Sequence, residues 1–172
     1  MKKIRAMKER ASAIQAPAWP SPGSVFSFAV EGGQRIYGLV RRYPWVSVGG
    51  LVTASPPHDL RAATRNPLFV VSVFDDPFKS GRWPVEGLVD TTDEELVIPS
   101  RFMQDATLRC KILDGGVVVR EATFDECEGL ERATLWHAHQ IEERANDQLA
   151  GRPNAKFERL RLKRAPTGPA GS

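Results

Sequence analysis

The sequence predicts an α+β fold: a mostly antiparallel, curled, barrel-like sheet with one C-terminal helix packed on it. Three observations predict it. Short β-patterned runs follow one another from Ser24 onward, separated by turn residues; consecutive strands joined by hairpins give an antiparallel sheet. One convincing helical stripe occurs, over residues 131–150. Thirteen prolines and fourteen glycines in 172 residues favour turns over long helices.

The elements follow in order. Residues 2–15 place Ile4, Met7, Ala11 and Ile14 at helical spacing among basic residues. Ala16–Gly23 holds three prolines and breaks any helix. Residues 1–21 are therefore read as a basic arm and Pro-rich linker. Residues 22–164 form a single domain, and 165–172 are expected to be a disordered tail of small residues. Ser24–Val30 and Arg35–Arg41 read as a hairpin around Glu31-Gly32-Gly33-Gln34. Val46–Val52 is a third strand, with Gly49-Gly50 expected to bend or bulge it. Leu68–Phe74 is nearly continuous apolar sequence, the mark of a central strand buried on both faces. Residues 77–94 read as a long exposed connection, and Leu96-Val97-Ile98 as a short strand. Thr107–Leu113 and Val117–Phe124 flank Asp114-Gly115-Gly116, the clearest hairpin in the chain. The helix ends where Gly151 and Pro153 supply stop signals, and Phe157–Leu162 is expected to add an edge strand.

Composition excludes whole classes. The chain is 41% hydrophobic and 26% charged, ordinary for a globular domain. No apolar run approaches the ~20 residues that span a bilayer. The N-terminus has no apolar core of the kind a secretory signal needs. Cys110 and Cys127 are too few for a disulfide framework. A cytoplasmic protein without membrane association is expected. The net charge of +3 conceals an asymmetry: residues 1–10 carry +4, residues 152–164 carry +5, and the body between them carries −6. A basic pI set by the two ends is not a nucleic-acid face. An acidic body suits a basic protein partner.

The residues capable of chemistry do not converge on a catalytic set. His137 and His139 lie in the expected helix, where two positions differ by about 200° around the axis, so they should diverge rather than share a metal. His58 sits beside Asp59 in a Pro-rich loop. Asp75-Asp76 ends an apolar strand and reads as an Asp-Asp-Pro turn. Cys127 has Asp125, Glu126 and Glu128 around it, which raise a thiol pKa and oppose nucleophilic use. No nucleophile elbow or phosphate-binding glycine loop is present. No catalytic residue, metal ligand or cofactor is therefore assigned. Candidate partner-binding residues are the aromatics Tyr43, Trp45 and Trp83 and the acidic run Asp90, Asp93, Glu94 and Glu95, because aromatic anchors with charged rims carry protein interfaces.

Pro22-Gly23-Ser24-Val25-Phe26-Ser27-Phe28, then Gly33, then Tyr37-Gly38-Leu39-Val40, resembles the opening of the immunity protein 26 family. Val97-Ile98-Pro99, the Asp114-Gly115-Gly116 hairpin and the 131–150 helix follow in compatible order. The resemblance covers about 22–150. It implies a bacterial immunity protein that neutralises a cognate polymorphic toxin by direct binding. The same grouping contains the HocA-type small phosphotriesterase, so hydrolysis of organophosphates is the alternative it implies. No family catalytic motif transfers onto these positions.

Overall fold

The computed structural model describes residues 19–164. The helical arm expected over 2–15 and the tail over 165–172 lie outside the described residues. The described part is α+β, with two antiparallel-rich sheets and a C-terminal helix.

The first sheet is built from β1 (Ser24–Val30), β2 (Gln34–Val40), β3 (Trp45–Thr53), β4 (Phe69–Val73), β5 (Val85–Leu88) and β10 (Leu135–Trp136). Their spatial order is β10-β4-β3-β2-β1-β5. The expected first hairpin pairs Val25 with Leu39 and Val30 with Gln34, and Gly32 and Gly33 turn it with φ of +82° and +74°. Gly49 and Gly50 do bulge β3: Ile36 faces Val52 while Gly38 faces Val48. A Cβ on Gly49 would stand 2.6 Å from the Ala63 carbonyl oxygen, so no larger residue fits the bend. All five residues of β4 are buried, as its continuous apolar sequence predicts.

The second sheet orders β6 (Arg101–Gln104), β7 (Cys110–Asp114), β8 (Val117–Ala122) and β9 (Glu131–Arg132) as β8-β7-β6-β9. Asp114 pairs with Val117, and Gly115 and Gly116 occupy the two loop positions at φ +58° and +86°. Two successive positive φ values make the primed turn that suits the right-handed twist of a hairpin. Cys110 and Ile112 face inward as the alternation predicts. Leu108 does not join them on the strand, because at φ +67° it precedes β7 in a turn.

Among the described residues there are five α-helices: α1 (Leu60–Thr64), α2 (Asp76–Lys79), α3 (Phe124–Cys127), α4 (Ala138–Leu149) and α5 (Ala155–Arg159). The Asp59 carboxylate caps α1 by accepting from the Arg61 and Ala62 amides. α4 lays Ile141 and Ala145 on one face of the first sheet, against Phe28, Val46 and Val71. Full burial of a side chain such as Ile141 is worth about 1.5–3 kcal/mol. The opposite face buries Val25, Tyr37 and Leu39 beneath Ala63 of α1. A separate cluster of Phe102, Cys110, Ile112 and Cys127 underlies the second sheet.

Several expectations are corrected. The strands form two sheets rather than one. The helix begins at Ala138, not Glu131. Residues 131–136 instead pass from one sheet to the other, β9 running parallel to β6 and β10 parallel to β4. Sheet hydrogen bonds at two edges claim a segment whose side-chain spacing alone is helical. The 77–94 connection contains the end of α2 and all of β5. Leu96-Val97-Ile98 is no strand; a 3-10 turn covers Glu94–Leu96. Phe157–Leu162 is no strand either, since Asn154 caps α5 by accepting from the Phe157 amide at 3.0 Å. Trp19, assigned to the linker, packs edge-on against Phe78 at 5.0 Å.

Candidate functional site: a partner-binding surface

Tyr43 follows β2 in a tight turn and is 65% exposed. Trp19 meets its ring edge-on at 5.1 Å. This holds an amphipathic ring outward at low entropic cost, the property of an interface anchor. The other two candidate aromatics are core residues. Trp45 lies in β3, 6% exposed, with the Arg101 guanidinium 5.5 Å from its ring centre. Trp83, 1% exposed, stacks on Phe26 and Phe28 at 4.9 and 5.3 Å. Its Nε1 donates to Glu142 at 2.9 Å. Neither ring can meet a partner in this arrangement. Sequence gave no sign of this, because Trp83 sits between Arg82 and Pro84 in a polar stretch.

The acidic run is largely where a partner could reach it. Asp90, Asp93 and Glu94 are exposed. Glu95 is turned back into the protein. Its carboxylate accepts from the Thr92 amide at 2.8 Å and from Arg61 at 3.1 Å. The Thr92 hydrogen bond, helped by the Arg61 charge, holds Glu95 below the usual carboxylate range despite partial burial.

Arg41, two residues before Tyr43, reaches the stretch that follows the acidic segment. This buried side chain donates to the Val97 carbonyl oxygen. Burial, and then the nearby Arg101 charge, lower the Arg41 pKa; Glu95 opposes them. Sequence reasoning missed Arg41, because a lone arginine after a strand carries no signature of a buried tie.

The histidines are arranged differently from expectation. His137 is the extended residue before α4, at φ −83° and ψ 152°, so it does not share the helix with His139. The two rings stack at 5.7 Å and 16°, and Phe74 stacks on His137 at 4.4 Å. Among the described residues, no group of three or more His, Cys, Asp or Glu side chains is placed to hold a metal ion. Asp75 precedes α2 as its N-cap and forms an ion pair with Lys79.

A cavity of about 570 Å³ lies among β6, β9, α3 and α5. Phe102, Phe124, Trp136 and Phe157 wall it, with Glu131 and Arg132 at its polar side. Arg132 lies 4.9 Å from the Phe102 ring centre and donates to Leu160 O and Gln104 O, both at 3.0 Å. The polar groups of this cavity are occupied by intramolecular contacts. No helix among the described residues is long and apolar enough to cross a membrane.

Compared with known proteins, the chain matches no family model, no curated protein and no solved structure.

Proposed function

We propose that this protein acts by binding: it covers a cognate, basic toxin protein and so neutralises it, as an immunity protein does. The observation that supports this most directly is Tyr43, an aromatic ring 65% exposed and held edge-on by Trp19; Asp90, Asp93 and Glu94 are exposed as well. An exposed aromatic ring can anchor a partner, and exposed carboxylates can steer a basic one toward the surface. The residues that resemble the immunity family, Pro22–Phe28 and Tyr37–Val40, fall largely in β1 and β2, and the Tyr43 turn follows β2.

Co-expression with a toxin encoded beside it tests the reading. The protein should restore growth and co-purify with the toxin, and Tyr43→Ala should weaken both. A protein that neither binds nor protects ends the proposal.

Hydrolysis of phosphotriesters is a second reading, favoured by one observation: the exposed imidazoles of His137 and His139 stand together. Such chemistry requires activated water and stabilised phosphoryl charge. Paraoxon turnover, with and without added divalent metal, that is lost in His137→Ala would establish it; absence of turnover under both conditions would remove it.

A further inference from the structure

Two rows of three aromatic rings start from adjoining backbone positions. Tyr43, Trp19 and Phe78 form the first, with successive ring centres 5.1 and 5.0 Å apart. Phe74, His137 and His139 form the second, at 4.4 and 5.7 Å. The backbone joins the rows, since the Val73 amide donates to Pro44 O at 2.9 Å. Tyr43, Phe74 and both histidines are exposed, while Trp19 and Phe78 are half-buried. Exposed aromatic rings grouped in this way are a candidate contact site. At its border Asp75 pairs with Lys79 and Glu142 with Arg82, while Asp76 and, beside Tyr43, Arg42 are exposed.

We propose that this aromatic surface is the docking site for residues 1–18 of the same chain. Three observations point to that occupant. First, the segment joins the described part at Trp19, which is itself one of the six rings. Second, its chemistry is complementary. Ile4, Met7, Ala11 and Ile14 recur at helical spacing, and residues 1–18 carry a net +4. Methionine makes favourable contacts at aromatic edges, and Lys and Arg are drawn to aromatic faces. Third, its reach suffices: a helix over 2–15 would extend about 21 Å at 1.5 Å per residue, with 16–18 left to turn it back toward the surface.

The docking does not rest on the proposed function.

The test uses the full chain and no toxin. Hydroxyl-radical footprinting and diethylpyrocarbonate labelling report the reactivity of Tyr43, Phe74, His137 and His139. Each should react several-fold faster in an Ile4→Ser, Met7→Ser, Ile14→Ser triple variant than in the wild type. These substitutions lie outside the described core, and circular dichroism should show an unchanged fold. Equal reactivity in both proteins overturns the proposal. A photo-crosslinking benzoylphenylalanine at position 7 then identifies what the segment touches. Monomer-sized products joined to 74–79 or 137–139 support it. Dimer-sized products, which place a second copy on the surface, overturn it, as do products joined elsewhere or no product. Failure of toxin binding leaves these readouts unchanged, so the two proposals fail separately.

Discussion

Arg144 donates to both carboxylate oxygens of Glu131, at 2.7 and 3.1 Å. The same carboxylate stands 3.6 Å from Arg101, so one anion serves two buried guanidiniums. Arg144 also lies 4.2 Å from the Phe69 ring centre and 4.5 Å from that of Phe157. Glu131 belongs to the second sheet and Arg144 to α4, which packs on the first. The cluster thus joins the two halves of the fold.

Removing Glu131 leaves two buried cations without their common partner. Breaking a buried pair from one side costs about 3–5 kcal/mol. Glu131→Ala should lower the urea-unfolding free energy by that order, with Arg144→Ala close behind it. A loss below ~1 kcal/mol would show that the cluster is not what holds the sheets together.

Trp83 is expected to act through stability and not through partner contact. Trp83→Ala empties the space against Phe26 and Phe28 and should cost about 3–5 kcal/mol. Partner affinity of the fraction that remains folded should match wild type. Tyr43→Ala should do the reverse, preserving the thermal midpoint while weakening binding. Calorimetry of unfolding and binding on the same two variants separates these outcomes.

Gly38 lies under the Phe26 ring. A Cβ there would collide with Phe26 Cζ and stand 2.7 Å from the Ser47 carbonyl oxygen. Gly38→Ala should therefore destabilise by about 1–3 kcal/mol or more, the usual cost of overpacking. A neutral effect in chemical denaturation would mean that the Phe26 ring moves freely, contrary to its complete burial.

Glu142 gives the fold an acid-sensitive contact. Burial pushes its carboxyl up, but hydrogen bonds from Arg82 and Trp83 outweigh burial and hold it below the ordinary value of 4.5. A depressed folded-state pKa contributes stability above the unfolded value that is lost as pH falls through the folded one. Glu142→Gln should cost stability at pH 7, and the difference from wild type should shrink as pH drops below 4.5. A difference independent of pH would show that the carboxylate charge is irrelevant there.

Cys127 should be inert in the folded protein. Burial, and then the neighbouring Cys110, push its thiol up to about 11. Native protein at pH 8 should react slowly with Ellman's reagent at both cysteines, and denatured protein should release two equivalents quickly. Fast reaction without denaturant would mean that α3 opens readily over β7.

Local chemistry determined much of this fold. Turn glycines with their flanking alternation placed the β1–β2 and β7–β8 hairpins, and Gly49-Gly50 marked the bulge in β3. Gly151 at φ +66° stops α4 as a C′ glycine should. Each of these signals lies within a few residues of the element it defines. The candidate surface was less legible: Tyr43, Asp90, Asp93 and Glu94 are exposed, Glu95 is turned inward, and Trp45 and Trp83 are buried.

What packs above a residue was decided by tertiary structure alone. Residues 131–136 became strands because two sheet edges offered them hydrogen bonds, and a two-residue strand is too short to show a period of its own. That shift moved the helix start to Ala138, which freed His137 to stack on His139 and Phe74. Trp83 and Trp45 were buried by strands and helices distant in sequence, and Arg41 found its acceptor 56 residues away. Side-chain type sets what a residue can do; the neighbours supplied by the rest of the chain set whether solvent or a partner ever reaches it.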